Sequence, residues 1–284
     1  MNRFNKHIII VGSARSGTSW LAETIAKQHR YRSLFEPEHE FQTKNGYLLC
    51  DKFIETSDAF KEGTAYLKNV FLNRVDSDWI AQNSNRKYKR HLWPFIPKKF
   101  VIKFVRCNLL APYIQTRFNI PVLHIIRNPY EVLQSQQRVQ FPWLYNLHHF
   151  TAQQNLVTLL KDTYNFDITN VASLSDLEKL TVRWCVENVV PITIQKAENK
   201  NYRLVRYEEL RNDIHVFLQL CKEFNLEPLA TIEKEYTKPS SKTHPKSDVL
   251  QKAPTKTTFL EAELQQINSI LDIFEVDFYP RKYT

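Results

Sequence analysis

The chain has 284 residues, 43% of them hydrophobic and 13% aromatic, enough to bury a substantial core; it is long for one domain and short for two. Its 39 basic and 30 acidic side chains leave a net charge of +9, which favours anionic partners. No apolar run reaches membrane-spanning length, and the four cysteines (Cys50, Cys107, Cys185, Cys221) lack the CxxC spacing of a metal or redox motif, so reduced, buried thiols are expected.

The organising stretch is IIIVGSARSGTSWL, residues 8 to 21. Ile8 to Val11 read as a buried strand, Gly12 to Gly17 as a turn of small residues, and Thr18 to about Gln28 as a helix. A strand, a glycine-bounded loop and a helix N-terminus make an anion site, because loop amides and the positive helix end converge above the strand. The spacing is that of a Walker A loop, but Thr18 stands where the phosphate-gripping Lys belongs and the cation is Arg15 instead. A triphosphate-and-magnesium site also needs an acidic residue after another strand. The two other strong strand candidates, Val101–Val105 and Val122–Ile126, are followed by Arg106 and Arg127, so no metal ligand is expected.

Further along, Leu34-Phe35 is followed by Glu36-Pro37-Glu38-His39, and a carboxylate before Pro belongs at a strand end or in a loop. Ligands gather at the carboxyl ends of parallel strands, which puts Glu36 near Arg15. Residues 40 to 98 are polar and aromatic, with helical spacing around Ser57–Asn73, a basic run at Arg86–His91 and a rigid Trp93–Pro97 turn; they read as a variable acceptor-side insertion. Lys103, inside an apolar strand, either snorkels at an edge or points into a site. Asn128-Pro129 ends the second strand and opens a helix that carries Ser135, so Arg127 and Ser135 converge on one anion.

The aromatic cluster Phe141–Tyr145 is expected either to stack on sugar rings or to belong to the core. Leu174–Ala197 has helical period behind a Ser175/Glu178 capping box. Tyr202–Tyr207 reads as a short strand, Asp213–Phe224 and Phe259–Ile273 as amphipathic helices, and Lys238–Ser247 as a basic, hydroxyl-rich linker. These elements predict an α/β protein of the P-loop type: three α/β/α layers about a central, mostly parallel sheet, in a single domain spanning residues 1–284.

RSGTSWL after a strand resembles the 5′-phosphosulfate loop of sulfotransferases that use 3′-phosphoadenosine 5′-phosphosulfate (PAPS). HIIRNPYEVLQSQ resembles their 3′-phosphate segment, and RYEEL their RYEDL. Arg in the loop and LFEPEH downstream are similar to the carbohydrate and tyrosylprotein enzymes and their bacterial relatives. The likeness covers residues 8–39, 101–138 and 202–210, and leaves about 52–98 unmatched.

The resemblance implies PAPS as donor without a metal. Arg15, Ser16, Gly17, Thr18 and Ser19 would hold the phosphosulfate, Arg127 and Ser135 the 3′-phosphate, and Tyr207 the nucleotide. Ser241 and Lys242 would belong to a mobile cofactor-covering loop at about 238–256. Lys103 would join Arg15 in offsetting leaving-group charge, and Glu36 would be the general base, with His39 as the substitute. The expected acceptor is a saccharide or glycoconjugate, with no nucleic-acid partner and no transmembrane segment. No signal peptide precedes the first strand, so the expected location is cytoplasmic. A P-loop kinase of a small metabolite and a non-enzymatic polyanion-binding module stay open as alternatives.

Overall fold

The computed structural model describes residues 4, 6–28, 31–55, 60–82, 99–195, 201–245 and 259–283. The expected basic run at 86–91, the Trp93–Pro97 turn and the distal part of the 238–256 loop lie outside these residues.

Five strands form one sheet in the order β2-β3-β1-β4-β5. They are β1 Ile8–Val11, β2 Tyr31–Phe35, β3 Lys99–Lys103, β4 Val122–Ile126 and β5 Tyr202–Arg206. Every pairing is parallel, so both faces need cover, and the inner strands β1, β3 and β4 are buried almost throughout, while the edge strands β2 and β5 expose Arg32 and Arg203. Ile9, Val11, Leu34 and Ile102 pack toward helices Lys61–Phe71 and Ala111–Phe118. Ile8, Ile10, Val101 and Ile125 face helices Thr18–Ala26 and Ile214–Glu223. A third cluster joins helices Pro129–Val139, Asp176–Ile194 and Glu261–Ile273 around the fully buried Trp184. The expected three layers are present.

The capping box forms as the sequence predicts: Ser175 Oγ accepts from the Glu178 amide (3.3 Å) and Glu178 Oε2 from the Ser175 amide (2.7 Å). β3 differs from expectation. It runs Lys99–Lys103 rather than Val101–Val105, because the Val105 and Arg106 amides are taken by the Glu38 carboxylate (2.6 and 3.1 Å) instead of a neighbouring strand. Lys103 is therefore the last residue of the strand, not its middle, and it is 3% exposed.

The chain lays β1, β3 and β2 outward on one side and β4 and β5 on the other. The order thus reverses at β1, the place where a parallel sheet opens a crevice at its carboxyl edge. The Gly12–Gly17 loop emerges there. Register then sets its neighbours: Phe35 pairs with Lys103, which brings Glu36 beside that lysine, and Ile126 pairs with Arg206, which brings Arg127 beside Tyr207.

Candidate active site

The five carboxyl strand ends surround one cavity of about 590 Å³. Its floor is the loop after β1. Gly17 sits at φ +94, where a side chain is strained, and an added Cβ would lie 2.4 Å from the Tyr207 ring. Arg15 also takes a positive φ, 76. Ala14, Arg15, Gly17, Thr18 and Ser19 line the cavity, whereas Ser16 is fully buried beneath the loop. The Ser16 amide closes a turn on Ser13 O (3.1 Å), and its Oγ is buried with no protein partner.

One wall is rich in arginine. Arg15 Nε donates to Ser135 Oγ (3.0 Å), and Arg127 Nη1 donates to the Arg15 carbonyl (3.3 Å). Arg127 also pairs with Glu131 (2.7 Å) and lies 4.6 Å above the Tyr207 ring, which meets Trp20 edge-on. Ser135 is thus bonded to Arg15, and Arg127 reaches the same corner through the Arg15 carbonyl. Burial, followed by the nearby Arg127 and Arg138 guanidiniums, pulls Arg15 below its usual range. Arg138 was not among the expected site residues, though its helical spacing from Ser135 is a signal for it.

The opposite wall carries Glu36 and Lys103, joined by a short ion pair, with the Glu36 amide held on Lys103 O (2.9 Å). Lys103 lies 4.4 Å over the Phe35 ring, and Glu36 takes φ 42, a left-handed value rarely adopted away from glycine. His39 lines the same cavity, edge-on to Trp79 at 4.8 Å, with Nδ1 accepting from the Phe41 amide (3.3 Å). Burial lowers its imidazole. Glu38, two residues past Glu36, is 1% exposed. Burial, then the Glu36 charge, pushes its carboxyl up to about 7 against the pull of the two amides it accepts.

The segment 239–244 crosses above. Ser241 donates its amide and hydroxyl to Glu23 (2.8 and 2.6 Å) on the outside of the first helix, away from Arg127 and Ser135. Lys242 lines the cavity and reaches Gln82 Oε1 (2.6 Å) over Phe35, on the Glu36 side. His244 meets Phe141, which stacks on Trp143. Phe41 stands 80% exposed at this mouth.

Behind the mouth lies a charged network that sequence spacing did not show. Arg106 holds Asp51 and Glu40 (both 2.7 Å), and the fully buried Arg183 holds Glu187 (2.9 Å) and reaches Asp51 (3.5 Å). Glu40, Cys50 and His149 bring one donor atom each within 4.8 Å of one another. Glu40 is committed to Arg106, and burial pushes the Cys50 thiol far above its usual range, so the group is an ion-pair network around a neutral thiol. His124 is a core residue, fully buried between Tyr202 and Asn188, and all four cysteines are free and buried. Among the described residues no helix is long and apolar enough to cross a membrane.

Fold and site together define a P-loop-type α/β protein with an arginine-lined wall facing a lysine–carboxylate pair. The sulfotransferase domain model matches residues 5–266, and the chain belongs to that family. No curated protein matches it by sequence. Solved structures it is similar to include the sulfotransferase domain of the curacin biosynthetic pathway, 18% identical over 93% of this chain and 96% of that one (TM-score 0.45). The sulfotransferase domain of the Synechococcus PCC 7002 olefin synthase is 14% identical over 96% and 94% (TM-score 0.49). Mouse SULT7A1 complexed with PAP is 13% identical over 96% and 85% (TM-score 0.46).

Proposed function

We propose that this sulfotransferase moves the sulfuryl group of PAPS to an acceptor hydroxyl on a saccharide or glycoconjugate, with Glu36 as general base. The observation that carries this reading is the placement of the Arg15–Arg127–Ser135 cluster and the Lys103–Glu36 pair on opposite walls of one cavity.

The residues present fit the donor. Arg15, Arg127 and Arg138 gather closely enough for the other two guanidiniums to bear on Arg15, a concentration of positive charge suited to a bisphosphate. Arg15, Gly17, Thr18 and Ser19 line the cavity floor at the N-terminus of the first helix, where a bound anion would rest. PAPS supplies an activated sulfuryl group on a phosphate leaving oxygen. Arg15 and the first-turn amides of helix Thr18–Ala26 hold that end, and charge-assisted contacts contribute roughly 1.5–3 kcal/mol each. Arg127 and Ser135 hold the 3′-phosphate, with Tyr207 beneath Arg127 lying against the nucleotide. Lys103 places positive charge where the leaving oxygen develops its negative charge. Glu36 receives the hydroxyl proton as the acceptor oxygen bonds to sulfur. The exposed Phe41, the Phe141–Trp143 stack and Trp79 stand on the acceptor side and are suited to a sugar's apolar face.

Calorimetric titration with PAP, with AMP as control and no added metal, tests the donor half. PAP should bind at least about tenfold tighter than AMP, with the preference lost in Arg127→Ala. Equal affinities would remove the 3′-phosphate site. Glu36→Gln should leave PAP affinity within about twofold while turnover collapses about a hundredfold or more; normal turnover would remove Glu36 as base.

A further inference from the structure

Glu38 lines the reaction cavity, is almost wholly buried, and has no part in the chemistry described so far. Its two oxygens differ. Oε1 accepts both the Val105 and the Arg106 amide, while Oε2 is buried with no partner. Neither neighbouring cation compensates it, since the Lys103 ammonium is paired with Glu36 and the Arg106 guanidinium with Asp51 and Glu40. The other titratable groups around it are the Tyr66 hydroxyl, which donates to Pro37 O from helix Lys61–Phe71, and the Cys50 and Cys107 thiols. Burial raises all three, so at neutral pH they bring no charge. His39 lies beyond Glu36, and its imidazole is lowered. A carboxyl with one free, dry oxygen, an anionic neighbour and no counter-ion keeps its proton on that oxygen.

We propose that Glu38 is a positioning residue that sets the pH range in which Glu36 works as base: neutral at rest, it becomes an anion beside Glu36 as pH rises, and makes Glu36 a stronger proton acceptor. Glu36 and Glu38 line one cavity with a single lysine, which is paired to Glu36, so each charge bears on the other. Glu38 acts through Glu36; its Oε1 also fixes the turn that follows β3 by accepting the Val105 and Arg106 amides. The proposal rests on the reading of Glu36 as general base.

The test compares wild type, Glu38→Gln and Glu36→Gln in two measurements. The first is kcat against pH at saturating PAPS and acceptor. Wild type should rise about threefold or more through neutral pH, and Glu38→Gln, which keeps an amide-accepting oxygen, should lose that rise while PAP affinity stays within about twofold. The second is infrared difference spectroscopy of the protonated-carboxyl C=O band, which needs no acceptor. Wild type should show a band that disappears as pH rises through neutrality. It should be absent from Glu38→Gln, and in Glu36→Gln it should disappear at lower pH, because a repelling charge is gone.

Absence of the band from wild type, or an unchanged kinetic rise in Glu38→Gln, would overturn the proposal. If Glu38→Gln fails to fold, the wild-type band and its displacement in Glu36→Gln decide the matter. Normal turnover in Glu36→Gln would instead overturn the base reading, and the proposal with it; collapse there with the rise kept in Glu38→Gln would overturn Glu38 alone.

Discussion

Replacing Arg183 by Met removes the centre of the buried network behind the acceptor mouth. The guanidinium is 0% exposed and makes four polar contacts: Glu187 Oε1 at 2.9 Å, Asp51 Oδ2 at 3.5 Å, and the Leu144 and Asn146 carbonyls at 3.0 and 2.6 Å. It also lies on the Phe150 and Trp143 rings, at 4.8 and 5.3 Å. Met matches the apolar stem and the ring contacts but leaves Glu187 buried without its cation and two carbonyls without donors. Asp51 keeps Arg106, so its loss is smaller. Breaking a buried pair from one side costs about 3–5 kcal/mol. For a chain of this size that corresponds to a fall in Tm of about 10 °C.

The assay is urea unfolding at pH 7 followed by circular dichroism, with the m-value compared so that a change in midpoint reads as stability. Arg183→Met/Glu187→Gln should recover about half of the loss, because the uncompensated carboxylate is then gone while the carbonyls stay unpaired. Since Leu144 and Asn146 fix the turn carrying Pro142 and Trp143, the single variant should also raise the acceptor KM without weakening PAP binding. A loss under about 1 kcal/mol, or a double variant no more stable than the single, would refute the electrostatic account.

Gly17→Ala puts a Cβ 2.4 Å from Tyr207 at φ +94, so the ring must leave its place under Arg127. PAP should bind about tenfold more weakly, by calorimetry, while stability falls only about 1–2 kcal/mol; unchanged PAP affinity would mean that this stack is not part of the donor site. Burial pushes the His124 imidazole from 6.5 down to about 4. The unfolded chain therefore takes up a proton that the fold refuses, and the stability present above pH 6.5 is lost, by up to about 3 kcal/mol, as pH falls toward 4. His7 acts in the same direction, and Glu38 in the opposite one between 4.5 and about 7. His124→Asn should flatten the fall in urea midpoint between pH 7 and pH 4.5, and an unchanged slope would contradict the sign.

Local spacing carried the loop and the strands. Gly12, Arg15 and Gly17 stand in one loop, and Ser135 follows Arg127 by about two turns on the helix that opens at Pro129, whereas its bond to Arg15 is a tertiary contact. The apolar runs of β1 and β4 already announced a sheet covered on both faces. Glu36, placed by the Pro after it, was legible as a strand-end carboxylate, but not its partner.

Only strand order decided that partner: β2 lies against β3, in register at Phe35 and Lys103, and that pairing joins residues 67 apart in the chain. The same packing turned Glu38 from a loop carboxylate into a buried one, sent Ser241 to Glu23 rather than to the phosphate wall, and brought Arg183 to Asp51 across 132 residues. Helix and strand periods reach a few residues along the chain, whereas burial and ion pairing depend on which elements become neighbours. Local pattern was therefore enough for the Gly12–Gly17 loop and the parallel sheet, whereas which charges face one another and which lose their water followed from packing.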